Sequence, residues 1–146
     1  MSDTIEQRIQ QLENLTGLEK LINTYQWCVD QFDWQGWSEC FTEDAEFDFP
    51  VFGKMRGRRE IHDVCKAGIE RAYGATQHMI TNLDFDLTGP DTASGHGNLL
   101  FIAVPDPEKP DVNIMLGGRY DWEFKRTAAG WCIAEARLVV LWTGGH

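Results

Sequence analysis

The sequence predicts an α+β fold, in which a strongly curved, mostly antiparallel sheet wraps N-terminal helices and leaves a hollow between them. Three observations carry this. Apolar residues recur at helical spacing in the first third of the chain, the last half alternates with period two, and short breaks rich in Gly, Pro and Asp separate the alternating runs. Helices first, then a strand pair, a helix and four long strands, is an α+β order.

Residues 4–14 predict one helix, and Thr16-Gly17 a break before a second. From there Leu18, Leu21, Ile22, Tyr25, Val29 and Phe32 recur at spacings of three and four, an apolar stripe on a helix ending near Asp33. A helical turn over 34–41 and a polar turn at Thr42-Glu43-Asp44 follow. Residues 45–50 and 53–57 read as short strands. Residues 58–73 return to helical spacing, with Ile61, Val64, Cys65 and Ile69 on one side. Long strands are predicted over 76–87, 92–104, 112–125 and 131–142, joined at Gly89-Pro90-Asp91, at 105–110 and at 127–130. Gly95, Gly97, Gly117 and Gly118 fall inside these strands and mark bulges or bends.

The chain has 146 residues, of which 42% are hydrophobic and 12% aromatic, and reads as one domain over 1–146. Six Trp and eight Phe can build a core or line an apolar pocket. A formal charge of −10 argues against nucleic acid and against an anionic membrane, because both require phosphate neutralisation. The short basic cluster Lys54, Arg56, Arg58 and Arg59 reads as a strand end and helix start. No apolar run reaches the ~18 residues of a membrane span. The N-terminal residues read as a charged helix rather than an export signal, so the expected location is cytoplasmic. Cys28, Cys40, Cys65 and Cys132 lack zinc spacing and read as free thiols in a reducing compartment, with no metal expected.

Four histidines are available for chemistry. His146 ends the chain and is expected to fray. His62 lies on the polar side of the middle helix and reads as solvated. In the strand over 76–87, alternation puts His78, Ile80 and Asn82 on one face, which becomes Asp84 and Asp86 toward the far end. His96 and Asn98 precede Leu100 and Ile102 by the same step, which makes His96 a second pocket candidate. Taken alone, each histidine reads more readily as structural or surface than as catalytic. Asp30 lies off the main helix stripe but shares a face with Trp27 and Trp34. If a second layer covers that face, Asp30 is partly buried and requires a partner. Among the described signatures of other chemistries, GxSxG, phosphate loops, GxGxxG, HExxH and EF-hand loops are all missing from the sequence.

Three stretches together resemble a known family. They are Tyr25-Gln-Trp-Cys-Val-Asp30 followed by Trp34 to Trp37 and Glu43 to Phe47; Thr76-Gln-His78-Met-Ile-Thr-Asn82; and Gly117 to Tyr120 through Gly130-Trp131. In order and spacing they are similar to the SnoaL-like branch of the nuclear-transport-factor-2-like superfamily, over about residues 10–142. That branch includes scytalone dehydratase, bile-acid 7α-dehydratase and hexachlorocyclohexane dehydrochlorinase. The resemblance implies a cystatin-like cone with a deep pocket, and an aspartate–histidine dyad at the positions of Asp30 and His78. Tyr25 matches the tyrosine of the dehydratases, where the dehydrochlorinase has lysine. The implied activity is a cofactor-independent lyase or isomerase reaction on a small, mostly apolar ring-containing substrate, with His78 as base, Asp30 as its orienting partner and Tyr25 as hydrogen-bond donor. His96, Asn98, Arg119, Trp27 and Tyr120 are the further substrate contacts expected. The alternative is a non-catalytic small-molecule-binding or assembly subunit with the same cone. Association as a homotrimer or homodimer is also expected.

Overall fold

The structure, a computed structural model, describes residues 2–145; Met1 and His146, the latter expected as a frayed end, lie outside the described residues. A capping box starts the first helix, α1 (Ile5–Asp30), with the Thr4 side chain accepting from the Gln7 backbone and the Gln7 side chain accepting in return. Leu18, Leu21, Ile22, Tyr25 and Val29 are buried along its inner stripe, as their spacing predicts. The expected break at Thr16-Gly17 does not occur. α1 runs straight through it, and Gly17 serves close packing instead: a Cβ there would lie 3.0 Å from the Trp131 ring.

After Asp30 the chain reverses through Phe32, whose φ of 58° is a conformation a bulky side chain seldom adopts. Asp33 then caps the short helix α2 (Trp34–Ser38) by accepting from the Gly36 N–H at 3.0 Å. The first strand, β1 (Phe41–Phe49), begins earlier than expected. Thr42-Glu43-Asp44 is strand rather than turn, because Phe41 already pairs beside Ile133 and an irregularity before Glu46 absorbs the polar residues. β2 (Gly53–Arg56) and α3 (Arg58–Ala72) follow, then β3 (Ala75–Leu87), β4 (Thr92–Val104), β5 (Ile114–Thr127) and β6 (Gly130–Gly145).

The strands form one six-stranded sheet in the order β2-β1-β6-β5-β4-β3. All neighbours are antiparallel except β1 and β6, which run parallel. The fold is α+β, with helices packed on the inner face of a curved, unclosed sheet. β3 departs from the simple alternation in one informative way. Thr76, His78 and Ile80 face inward, but a register shift between Thr81 and Asp84, with Asn82 at φ 56°, advances the phase by one residue. Leu83, Phe85 and Leu87 therefore turn inward where Asn82, Asp84 and Asp86 were expected to share the face of His78.

On the outer face, Asp84, His96, Asp121, Arg137, Asp48 and Lys54 stand opposite one another across all six strands. The signs alternate along that row when His96 is protonated. The parallel row through Glu123, Glu135 and Glu46 instead sets three carboxylates side by side before reaching Arg56.

Candidate active site

β3 is an edge strand, so its outward N–H groups have no neighbouring strand to bond. α1 supplies the partners. Gln26 Oε1 accepts from the Ile80 N–H at 2.8 Å, and Asp30 Oδ2 accepts from the His78 N–H at 2.8 Å. The helical step of four from Gln26 to Asp30 matches the strand step of two from Ile80 to His78. Asp30 Oδ1 also accepts from Thr76 Oγ1 at 3.0 Å and lies 2.6 Å from His78 Nδ1.

A carboxylate at a helix C-terminus opposes the macrodipole, at a cost of about 0.3–1 kcal/mol. Here three donors from β3 hold it. An ionised carboxylate can only accept, so the 2.6 Å contact requires the proton on His78 Nδ1. Nε2 is then the free nitrogen. The His78 side chain is 8% exposed and that of Asp30 18%. The imidazole packs on Phe101, with ring centroids 4.7 Å apart, which fixes its plane.

His78 lines a mostly apolar cavity of about 80 Å³ between α1, α2, α3 and the sheet. Tyr25, Trp37 and Tyr120 are buried along it, joined by Leu99, Phe101 and Leu116 from the strands and by Phe49 and Phe52 from the β1–β2 hairpin. The Tyr25 and Tyr120 hydroxyls are 3.0 Å apart. Burial raises the pKa of both phenols well above the ordinary value, and for Tyr25 the neighbouring Tyr120 adds to it. Both therefore stay protonated through the neutral range. The Trp37 indole N–H beside Tyr25 works against that rise but does not reach hydrogen-bond geometry, and it is left without a partner among the described residues. A larger surface groove of about 530 Å³ runs beside Glu46, Lys54, Arg56, Glu135 and Arg137, but it is shallow, charged and remote from Asp30 and His78.

The structure thus brings His78, Tyr25 and Tyr120 to one cavity, with Asp30 behind His78 rather than in the lining, and leaves four other candidates outside it. His96, Asn98 and Arg119 stand on the outer face of the sheet, exposed. His96 is 3.8 Å from Asp84, and Asn98 donates to Asn82. On β4 the inward residues are Leu99 and Phe101, so the even-numbered residues point away from the cavity. Trp27 is 69% exposed, because no second layer covers that face of α1 among the described residues. Trp37, Gln26, Thr76 and Phe101 are site residues that the sequence did not single out. Thr76 and Gln26 stood in the resembling stretches, and Gln26 also shares the helix face of Asp30 at i−4. Trp37 also stood in a resembling stretch, but nothing in its spacing marked it as a cavity residue. Among the described residues no group of three or more His, Cys, Asp or Glu is placed to hold a metal ion.

A family model described as the SnoaL-like domain matches residues 10–137. The chain belongs to the SnoaL-like domain family. A scytalone dehydratase-like protein from Novosphingobium aromaticivorans superposes with a TM-score of 0.85 at 21% identity, covering 95% of this chain and 91% of that one. Hexachlorocyclohexane dehydrochlorinase LinA-type3 from Novosphingobium barchaimii gives 0.83 at 17% identity, over 95% and 94%. A nuclear-transport-factor-2-like protein with a cystatin-like fold, also from Novosphingobium aromaticivorans, gives 0.79 at 22% identity, over 97% and 92%. At these identities the likeness establishes the fold, the cystatin-like cone. No curated protein matches significantly. No helix is long and apolar enough to cross a membrane among the described residues.

Proposed function

We propose that this SnoaL-like protein is a lyase or isomerase whose His78 Nε2 removes a proton from a carbon beside a carbonyl of a small, mostly apolar ring compound. The observation that carries the proposal is the 2.6 Å contact of Asp30 with His78 Nδ1, which leaves the opposite ring nitrogen free on a residue that lines the cavity. Asp30 holds the tautomer and stabilises the imidazolium that forms. As the C–H bond breaks, its electron pair moves into an enolate, whose oxygen accepts from Tyr25. In an elimination, the enolate re-forms the carbonyl as a β-hydroxyl leaves with its electron pair, and the imidazolium proton completes the departing water. In an isomerisation the proton returns to another carbon instead. Imidazole, carboxylate and phenol suffice for either route. The dehydratase and dehydrochlorinase among the structural relatives favour elimination.

One observation favours the second reading, a binding or assembly subunit without turnover. The cavity of about 80 Å³ is smaller than the roughly 150 Å³ that accepts a benzene-sized ring. Catalysis on a ring therefore requires the mouth to open, and the β1–β2 hairpin carrying Phe49, exposed Val51 and Phe52 is the segment on that side. A panel of small β-hydroxy cyclic ketones, followed by the absorbance of the conjugated product, separates the two readings. Turnover that falls about 10²–10⁴-fold in His78→Ala supports the enzyme. Binding with no His78-dependent turnover across the panel supports the subunit.

Self-association belongs to the same proposal. Met79, Leu100 and Trp142 align across the outer face with Gly117 between them, and Trp142 is 47% exposed. An apolar row of this kind suits a homotrimer or homodimer contact, and sedimentation of wild type against Leu100→Glu tests it.

A further inference from the structure

We propose that the Trp37 indole N–H, together with the Tyr25–Tyr120 hydroxyl pair, forms an oxygen-binding floor that selects a neutral ligand carrying one carbonyl or enol oxygen. The inference rests on the reading of this cavity as the substrate site and adds the chemical class of what enters it.

Trp37 is 2% exposed and lines the cavity, yet its Nε1 has no hydrogen-bond partner among the described residues. A buried donor left unpaired costs about 1–3 kcal/mol, and native structures leave few such groups without a reason. Its neighbour on the same helix behaves differently: Trp34 Nε1 donates to Glu70 at 2.8 Å. Trp131 Nε1 is also unpaired, but that ring lies against Gly17 and beneath Arg126, away from the cavity.

The tyrosines add a second donor. Two hydroxyls 3.0 Å apart use one proton for the bond between them, in whichever direction it runs. The other proton remains for a third group. With both phenols held neutral by burial, the floor therefore offers one O–H and one N–H in close proximity. The Tyr25 and Trp37 ring centroids are 5.6 Å apart. A carbonyl oxygen has two lone pairs and is the acceptor that matches two convergent donors.

Charge sets the rest of the class. Among the described residues no Lys or Arg lines the cavity, and Arg119 is on the outer face. The one lining group that can become cationic is His78, and its charge is already matched by Asp30 at 2.6 Å. A carboxylate or phosphate group would therefore add an uncompensated charge, which is costly. A neutral ketone or enone carries no such cost, and once the β1–β2 hairpin opens to admit it, its ring would lie against Val29, Leu99, Phe101 and Leu116.

The test uses the nitrogen-15-labelled full chain and three probes: cyclohex-2-enone, cyclohexene and cyclohex-1-ene-carboxylate. The Trp37 indole signal is identified as the one lost in Trp37→Phe. The expected result is a downfield shift of that signal with the enone and none with cyclohexene. Trp37→Phe should weaken the enone roughly tenfold and leave cyclohexene unchanged. An enone that leaves the indole signal unmoved at millimolar concentration overturns the proposal. So does a carboxylate that binds as tightly as the enone, or an equal loss for enone and cyclohexene. The wild-type shift keeps the test valid if Trp37→Phe folds poorly. Repeating the titration on His78→Ala separates the two ideas, since the shift persists there even if no base catalysis exists.

Discussion

Replacing Asp30 by asparagine changes charge while nearly preserving shape, and the hydrogen bonds around it dictate the outcome. The carboxylate accepts from Thr76 Oγ1 and His78 Nδ1 on one oxygen and from the His78 backbone N–H on the other. Asparagine has one oxygen and one NH2 group, so it cannot accept on both sides. With its oxygen toward the imidazole, the NH2 meets the backbone N–H of His78, donor against donor. Turned over, the oxygen takes that N–H while the NH2 donates to His78 Nδ1 and to the Thr76 hydroxyl oxygen. An unpaired buried N–H costs about 1–3 kcal/mol, so the turned-over form dominates by a factor of roughly 5 to 150. That form moves the imidazole proton to Nε2 and removes the base from the cavity. Nitrogen-15 NMR of His78 reads which ring nitrogen is protonated. The expected change is from Nδ1–H in wild type to Nε2–H in Asp30→Asn. Stability should fall by about 1–2 kcal/mol as charge-assisted bonds become neutral ones. Turnover should fall about 10²–10⁴-fold. A variant that keeps Nδ1–H would refute the reasoning.

Other consequences can be checked independently. Glu135→Lys should stabilise the fold by about 0.2–1 kcal/mol in chemical denaturation, because Glu135 stands between Glu46 and Glu123 on the outer face; a destabilised variant contradicts the register. His96→Ala, Arg119→Ala and Trp27→Ala should each leave kcat/KM within about twofold of wild type, since all three side chains are exposed outside the cavity; a large loss would return that residue to the site. Burial pushes the Cys65 thiol up to about 12, and burial aided by the Cys28 and Cys132 thiols does the same for Cys40, from an ordinary 9.0. The native state keeps protons that the unfolded chain releases in that window, so their stabilisation is complete below pH 9 and declines as pH rises toward 12. The slope is about 1.4 kcal/mol per pH unit for each thiol. Denaturation midpoints measured across that range should fall more shallowly in Cys65→Ala, and identical slopes would contradict the burial argument.

The apolar stripe from Leu18 to Val29 was legible because a helix with one buried face imposes its own period on the sequence. Asp30 and His78 were legible through the resemblance rather than through periodicity, since neither lies where a simple pattern distinguishes it. β4 shows why two of the remaining contacts, His96 and Asn98, were misplaced. Leu99, Leu100, Phe101 and Ile102 are apolar in succession, because the inner face lines the cavity and the outer face is apolar as well. Such a run carries no phase, so His96 and Asn98 could not be assigned to a side. On β3 the phase was written but interrupted at Asn82, and a single asparagine in left-handed backbone is a weak mark of a bulge. Gly17 looked like a helix break because its reason, the Trp131 ring, lies more than a hundred residues away in sequence. The Trp37 donor was invisible for the same cause: an unpaired N–H is a property of the packed cavity, not of the helix that carries it.

The most direct test of the central claim, that His78 is a carbon base held by Asp30, is solvent exchange on a small ketone. Cyclohex-2-enone incubated with the protein in D2O should gain deuterium beside its carbonyl system faster than in buffer. That excess should disappear in His78→Ala, which preserves the cavity wall while removing the imidazole. An excess rate that survives in His78→Ala, or no excess with wild type while the enone is shown to bind, would contradict the account.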